Sequence, residues 1–242
     1  MPRTVLITGG TSGIGLATAA RFAADGADVT VTGRRQETVE RAAEELGVHG
    51  VVCDAAEPHQ IEALTARLGD TRGTLDVLVN AAGGLPRTAT GAGSPLADVR
   101  AQWEANWRQN LMTAVLTTTA VRERLAPGGT VISIGSIGAE RGGGGYGAAK
   151  AALAAWNAFL SAELGPRGVT ANVISAGYVA DTNFFGDGMT RERHDALVAE
   201  THNKRPGTPR EIAETVFFLA SPGARHITGQ TVHVNGGAFT TR

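Results

Sequence analysis

Short apolar runs alternate along the chain with longer segments of mixed polarity, and this alternation predicts the fold. The apolar runs are rich in valine, isoleucine, leucine and threonine, and they are mostly continuous, as in parallel strands that are covered on both faces. The predicted strands are Thr4–Thr8, Asp28–Thr32, Gly50–Asp54, Leu75–Asn80, Thr130–Gly135, Thr170–Ser175 and Thr231–Val234. The predicted helices are Gly15–Asp25, Gln36–Leu46, Glu57–Asp70, Leu96–Leu125, Tyr146–Leu164 and Pro209–Ala220.

Strictly alternating strands and helices predict an α/β fold with a doubly wound parallel sheet and helices on both faces. No repeat or linker interrupts residues 1–242, so we predict one domain. Two segments fit the alternation less well: Gly83–Pro95, and Ala176–Pro206 with an amphipathic piece near Thr190–Glu200. Both follow strands. Because ligands of open α/β sheets lie beyond the carboxyl ends of the strands, we expect both segments to wall a pocket.

Composition narrows the classes of partner. The chain has 42% hydrophobic and 19% charged residues and a net charge of −1, which gives no electrostatic reason to expect nucleic acid or an anionic membrane. A single cysteine, Cys53, permits neither an intrachain disulfide nor a cysteine-based zinc site, and we expect it to be a small buried apolar residue. The first apolar run is too short for a signal peptide, so we expect a cytoplasmic protein without a membrane span.

A glycine-rich turn, Thr8–Gly15, follows the first predicted strand and opens the first helix. Glycines allow the backbone to turn tightly and to approach a pyrophosphate, and free amides at the helix start favour its negative charge. No Gly-Lys-Ser/Thr follows, which excludes a Walker A loop. The position of the turn therefore indicates a dinucleotide site.

The end of the second strand distinguishes the two nicotinamide dinucleotides. An acidic residue there binds the ribose hydroxyl of NAD, and a basic residue accommodates the extra phosphate of NADP. Here Arg34 and Arg35 follow the strand and no acid is present. Because guanidinium groups bind phosphate through charge-assisted hydrogen bonds, we expect NADP(H), with NAD(H) as the alternative.

Tyr146 and Lys150 are candidates for proton transfer. They are four residues apart in a predicted helix and share one face. A free tyrosine has a pKa of about 10. A cation at about 4 Å supplies about 4 kcal/mol at an effective dielectric constant near 20, so we expect Lys150 to lower the pKa of Tyr146. Ser136, at the end of the fifth strand, is placed to hold a substrate oxygen, and Asn110 to support a water relay towards Lys150.

With these residues in place, essentially the whole chain resembles the short-chain dehydrogenase/reductase family, in particular its 3-oxoacyl-carrier-protein reductase-like members. The resemblance is carried by the Thr8–Gly15 turn, by Asp54, by Asn80–Gly83, and by the tetrad Asn110, Ser136, Tyr146 and Lys150. It implies a single-domain Rossmann-type fold. It also implies that Tyr146 is the general acid or base, that Lys150 binds the nicotinamide ribose, that Ser136 orients the carbonyl and that Asn110 supports the relay.

The resemblance also implies a set of cofactor contacts. These are Gly9, Thr11, Ser12, Gly13, Ile14, Gly15, Arg34, Arg35, Asp54, Ala55, Asn80, Ala82, Gly83, Tyr146, Lys150, Gly177, Val179 and Thr182. The chain departs from the family pattern at Ala81, Ala176 and Asn235. It also has a short interval between Ser136 and Tyr146. The four glycines of Arg141–Gly145 in this interval predict a loop with little side-chain bulk, which leaves the substrate mouth open. These departures remove no catalytic group, and they leave the substrate open.

The expected partners are a small carbonyl or alcohol substrate and other copies of the chain. The segment 148–164 is apolar on nearly all sides, which predicts a homotetramer, with a dimer as the alternative. A carrier-protein substrate would need a basic surface, for which Arg122, Arg124 and Arg141 are candidates. Three functions stay open: an NADPH-dependent carbonyl reductase, a dehydrogenase or reductase of another small substrate, and a nucleotide sensor on the same fold. Aromatic residues indicate an apolar pocket, and they are Trp103, Trp107, Tyr178, Phe184 and Phe185.

Overall fold

A computed structural model describes residues 2–88 and 94–241. Its strands form one parallel sheet in the order β3-β2-β1-β4-β5-β6-β7. They are β1 Thr4–Thr8, β2 Asp28–Gly33, β3 His49–Val52, β4 Leu75–Asn80, β5 Leu125–Ser136, β6 Thr170–Ala176 and β7 Thr231–Val234. The predicted doubly wound α/β fold is confirmed, and each predicted strand is present.

Helices cover both faces of the sheet. They are α1 Gly13–Ala24, α2 Gln36–Leu46, α3 Pro58–Arg72, α4 Pro95–Trp107, α5 Thr113–Val121, α6 Gly138–Arg141, α7 Gly144–Leu164, α8 Arg191–Glu200 and α9 Pro209–Leu219. Side chains of α1 and α9 pack with the strands in one apolar core, and those of α3, α5 and α7 form the core on the other face. Both faces of the central strands are therefore buried, which explains their continuous apolar sequences.

The structure corrects two of the predicted helical segments. The predicted helix Leu96–Leu125 is interrupted by a π-helical turn at Arg108–Met112, and β5 already begins at Leu125. The predicted helix Tyr146–Leu164 begins earlier, at Gly144, and a short helix, α6, ends at Arg141, so only residues 142–143 of the predicted Arg141–Gly145 loop lie outside helices. Neither the π-helical turn nor α6 has a distinctive pattern of polar and apolar residues, because a π-helical turn adds only one residue to a helix and α6 is a single turn.

The sheet order positions the site. The chain leaves β1 towards β2 and β3 and then crosses to β4 on the other side of β1. The connections after β1 and β4 therefore diverge and open a crevice at the carboxyl edge, where α/β proteins bind ligands. Residues 89–93 of the predicted Gly83–Pro95 loop lie outside the described residues. None of the helices within residues 2–88 and 94–241 has both the length and the apolar character needed to cross a bilayer.

Candidate active site

A cleft of about 720 Å³ lies at the carboxyl edge of the sheet. The glycine turn after β1 and residues at or just after the ends of β2 to β6 form its floor. Residues 83–85 line it on one side, and residues 176–179 and 182–185, together with side chains of α8, line it on the other. This confirms that both irregular segments wall the pocket, as far as they are described.

The turn between β1 and α1 requires glycine at defined positions. A Cβ atom on Gly15 would lie 2.2 Å from the carbonyl oxygen of Gly9, and one on Gly9 would lie 2.8 Å from the backbone nitrogen of Ala82. Gly9 also has a φ of +68°. The N-cap residue of α1, Ser12, makes no side-chain hydrogen bond to the helix. Its first amides therefore stay available to an anion, as a dinucleotide pyrophosphate requires.

Arg34 and Arg35 differ in their placement. Both are exposed, but Arg34 lines the cleft whereas Arg35, the N-cap residue of α2, does not. Arg34 also contributes to lowering the pKa of Asp54, so its charge acts on this end of the cleft. A phosphate bound here would thus meet Arg34 first.

Asp54 is held by a network that the sequence did not reveal. Burial opposes its ionisation, but hydrogen bonds from the Ala56 amide and the Arg108 guanidinium outweigh this effect and lower the pKa of the carboxyl. Arg108 lies 3.0 Å from Asp54 and 2.5 Å from Glu57 between charged atoms, and it lines the cleft. No local pattern marks Arg108, because its proximity to Asp54 depends on how α4 crosses the sheet edge.

Asn80 lies beneath the cleft floor. Its side-chain nitrogen donates to the hydroxyls of Thr118, at 2.9 Å, and Ser133, at 3.3 Å. Asn80 is buried and does not line the cleft. It therefore connects β4 to α5 and β5 below Ala82 and Gly83, which do line it.

Ser136 and Tyr146 meet at the carboxyl end of β5. The Ser136 hydroxyl accepts a hydrogen bond from the Gly138 amide, 3.1 Å away, and is also hydrogen-bonded to the Tyr146 side chain. Gly147 allows the first turn of α7 to pack closely against Gly138, since a Cβ atom at position 147 would lie 2.4 Å from the Gly138 carbonyl oxygen. The two hydroxyls thus form a pair that can contact one substrate oxygen.

The pKa of Tyr146 differs from the sequence-based expectation. Burial raises it, and the hydrogen bond with Ser136 offsets this only in part. The expected lowering by Lys150 is not found, because the ammonium lies 5.9 Å from the ring centroid and donates to the Ile134 carbonyl, 2.7 Å away. Tyr146 is therefore protonated at neutral pH and suited to donate a proton.

Lys150 is buried beside Tyr146 at the cleft wall, and burial lowers its pKa to about 8. Above pH 10.5, its ordinary value, the side chain is neutral in both the folded and unfolded states, and below pH 8 it is charged in both. Between these limits the unfolded state binds more protons, so stability rises with pH.

We expect this titration to be visible in Lys150→Met. Between pH 8 and pH 10.5 the unfolding free energy of wild type should rise by up to about 3 kcal/mol relative to the variant, which has no titrating group here. Urea denaturation of both proteins across this range measures the difference. A difference that does not change with pH would contradict the assigned pKa.

Asn110 lies in the π-helical turn and holds the chain after β4 through two hydrogen bonds. Its side-chain oxygen accepts from the Gly84 amide, and its nitrogen donates to the Gly84 carbonyl, both at 2.9 Å. A Cβ on Gly83 would lie 2.9 Å from the Asn110 oxygen and 3.4 Å from the Lys150 nitrogen. Asn110 does not line the cleft, but it is close to Lys150 across Gly83.

The aromatic residues separate into two groups. Tyr178, Phe184 and Phe185 line the cleft, and Phe184 packs edge to face on Tyr146 with 5.5 Å between ring centroids. Trp103 and Trp107 were expected in the pocket as well, but they lie on α4 with 48% and 43% exposure and do not line it. Their four-residue spacing places both side chains on one face of α4, but it does not show whether that face lines the cleft.

Most of the predicted site residues surround this one cleft. The predicted residues that line it are Gly9, Thr11, Ser12, Gly13, Ile14, Gly15, Arg34, Asp54, Ala55, Ala82, Gly83, Ser136, Tyr146, Lys150, Gly177, Val179 and Thr182, whereas Arg35, Asn80 and Asn110 do not. A glycine cradle without space for a Cβ, an uncapped helix start and a cation at the end of β2 together fit a dinucleotide. A buried, protonated tyrosine, Tyr146, lies at the other end of the same cleft. This arrangement is typical of an oxidoreductase with a nicotinamide cofactor.

Comparisons with known proteins agree with this class. A family model described as enoyl-(acyl carrier protein) reductase matches residues 9–239. A Mycobacterium tuberculosis protein named as an oxidoreductase is 37% identical over 97% of both chains. The 3-oxoacyl-[acyl-carrier-protein] reductase of Escherichia coli is 33% identical over 98% of this chain and 97% of its own. The crystal structure of a blue fluorescent protein from a metagenomic library, in complex with NADPH, superimposes with a TM-score of 0.87 at 32% identity over 98% of both chains.

The chain belongs to the short-chain dehydrogenase/reductase family. It is an oxidoreductase acting on CH–OH or C=O groups, as the family match and the reductase relatives show.

Proposed function

We propose that the protein catalyses the NADPH-dependent reduction of a carbonyl group to a secondary alcohol. The observation that carries the proposal is the Tyr146 hydroxyl, which is hydrogen-bonded to Ser136 at the carboxyl end of β5 and kept protonated by burial. A protonated donor suits the reductive direction, in which the carbonyl oxygen must gain a proton.

In the proposed mechanism the chain holds the substrate and supplies the proton. Bound NADPH supplies the hydride. The Ser136 hydroxyl orients the carbonyl oxygen, and the Tyr146 hydroxyl donates its proton to that oxygen. Lys150 lies next to Tyr146 and is held by the Ile134 carbonyl, where it supports the negative charge left on the tyrosine. Asn110 keeps Gly83 and Gly84 in place beside it.

The preference for NADPH rests on Arg34. It lines the cleft at the end of β2, where the adenosine ribose of a dinucleotide lies, and the similar metagenomic protein was crystallised with NADPH. Asp54 and the Gly9–Gly15 turn would hold the adenine and pyrophosphate, and Tyr146 and Lys150 the nicotinamide ribose.

We expect Arg34→Gln to weaken NADPH binding by about 10- to 100-fold, because a charge-assisted contact to the ribose phosphate is lost. NADH binding should change by less than about threefold. Arg35→Gln is the matched control, since its side chain does not line the cleft, and should have a smaller effect. Fluorescence titration measures all six affinities. If Arg34→Gln leaves the ratio of NADPH to NADH affinity unchanged, the assignment is wrong.

The activity itself is tested by NADPH consumption with ketones, 3-oxoacyl thioesters and quinones. Turnover of one class, with formation of the corresponding alcohol, is the expected result. Binding of NADPH without reduction of any compound would favour the nucleotide-sensor alternative. Faster turnover with NADH would favour an NAD-linked dehydrogenase.

We propose that the protein is a homotetramer, with a dimer as the alternative. Phe159 on α7 is 66% exposed, and α4, which packs on α7, presents Trp103 and Trp107. Exposed aromatic residues on neighbouring helices indicate an interface. Light scattering at micromolar concentration should give about four times the chain mass of 24.9 kDa, and Phe159→Glu should reduce it. A monomeric wild type would contradict the proposal.

We also infer a cytoplasmic location. Cys53 is a free, buried thiol, and burial together with the neighbouring Asp54 carboxylate raises its pKa to about 11. This agrees with the expected small buried apolar residue, and a protein with one inert thiol suits a reducing compartment.

A further inference from the structure

The charges around the cleft are unevenly distributed. Four cationic side chains line it within the described residues, and Asp54 is the one acid among the lining residues there. Arg34 lies at the ribose end, Arg108 is paired with Asp54 and Glu57, and Lys150 is buried beside Tyr146. The fourth cation, Arg193, lies at the substrate end, where the described lining contains no carboxylate.

Within the described residues, Arg193 is held in place by one ring contact and one backbone hydrogen bond. It lies on α8, and its guanidinium carbon is 4.8 Å from the centroid of the Phe185 ring. Its hydrogen bond to the Gly188 carbonyl is long, at 3.4 Å, and the described residues contain no ion pair to it. By contrast, Arg191 on the same helix faces Asp195 at 4.0 Å. The ring contact occupies the face of the guanidinium, so the N–H groups of Arg193 that do not donate to Gly188 can bind a ligand.

A continuous aromatic wall connects the proton donor with this guanidinium. Tyr146 contacts Phe184, and Phe184 contacts Phe185 with 4.9 Å between centroids. The Phe185 ring in turn packs against the Arg193 guanidinium. Leu197, one turn further along α8, adds an apolar side chain to the same side of the cleft.

We propose that the substrate is a keto acid: a ketone with an apolar, preferably aromatic, body and a carboxylate at its far end, which Arg193 binds. The proposal rests on the reductase function above and names its substrate class. One guanidinium matches one carboxylate in a bidentate pair. A carrier-protein substrate is less suited, because two of the three candidate surface arginines, Arg122 and Arg141, are already paired with Glu163 and Glu200.

The test measures binding rather than turnover. Two matched pairs are titrated calorimetrically into the protein, with and without NADP⁺: 4-acetylbenzoate and 4-(3-oxobutyl)benzoate, each against its methyl ester. The proteins are wild type, Arg193→Gln, Arg193→Lys and the control Arg191→Gln. Arg191 has a 91% exposed side chain on the same helix and does not line the cleft.

We expect at least one acid to bind wild type about tenfold more tightly than its ester. Arg193→Gln should abolish this preference, Arg193→Lys should retain part of it, and Arg191→Gln should retain all of it, with ester affinities within about twofold throughout. Higher salt should reduce the preference. Equal binding of acid and ester in both pairs, or a preference that survives Arg193→Gln, would overturn the proposal. So would a 3-oxoacyl carrier-protein thioester that is reduced with a higher kcat/KM than either acid.

The failure of the reductase function gives a different result. If NADPH binds but no ketone or ester is reduced, that function is overturned, while the acid–ester comparison still decides the role of Arg193.

Discussion

Tyr146→Phe is expected to lower kcat about 1,000-fold and to weaken NADPH binding by at most about tenfold, the loss expected for one hydrogen bond to the nicotinamide ribose. General acid catalysis contributes about 10²- to 10⁴-fold, and the Tyr146 hydroxyl is the side-chain group we assign to it. Phenylalanine keeps the ring and its edge-to-face contact with Phe184, so the cleft wall should remain in place. A loss of rate that far exceeds the loss of NADPH affinity therefore identifies the effect of the missing proton donor.

The chain offers a matched control for this experiment. Its other tyrosine, Tyr178, also lines the cleft, but its hydroxyl is hydrogen-bonded to His194 Nδ1, 2.7 Å away, and not to Ser136. Tyr178→Phe should lower kcat by less than about tenfold. Stopped-flow measurement of NADPH oxidation with the best ketone of the panel compares the variants. If Tyr146→Phe keeps more than a tenth of the wild-type kcat, the proton comes from elsewhere.

The part of the site that was predictable from the sequence lies next to regular elements. Ser136 is the last residue of β5, the glycine turn directly follows β1, and a four-residue spacing on one helix joins Tyr146 to Lys150. Strand ends and helical spacing are local properties. Position in the chain is therefore enough to place these groups at one sheet edge.

The environment of those same groups was not predictable. A shared helix face indicated that Lys150 would lower the pKa of Tyr146, yet the ammonium is directed to the Ile134 carbonyl and burial raises that pKa. The difference arises because desolvation depends on everything packed around a side chain. Helical spacing reports only that two side chains are neighbours.

Residues brought in by long-range packing were missed altogether. Arg108 reaches Asp54 from a π-helical turn 54 positions away, and Arg193 lines the cleft from α8, whose sequence has no buried face to orient it. Arginines in polar helices are usually exposed to solvent, so neither residue was predicted to belong to the site. Trp103 and Trp107 show the converse error, since aromatic side chains were expected inside and lie on an exposed surface.

Gly15→Ala is expected to weaken NADPH binding about 100-fold and to lower the unfolding free energy by about 1–3 kcal/mol. The added methyl would lie 2.2 Å from the Gly9 carbonyl oxygen and 2.8 Å from its carbonyl carbon. Both are backbone atoms that no rotamer change can move. Either the turn or the start of α1 must shift, and the amides that face the pyrophosphate shift with it.

Gly165→Ala separates this steric effect from the general effect of replacing glycine. Gly165 has a φ of −53° and open space where a Cβ would be, so alanine should leave both NADPH affinity and stability nearly unchanged. Fluorescence titration gives the affinities, and thermal unfolding with and without NADPH shows whether folded Gly15→Ala still gains stability from the cofactor. Wild-type NADPH affinity in Gly15→Ala would mean that the pyrophosphate does not lie on this turn. A loss of affinity with no change in stability would contradict the steric argument, since a methyl group that displaces the Gly9 backbone must lower both.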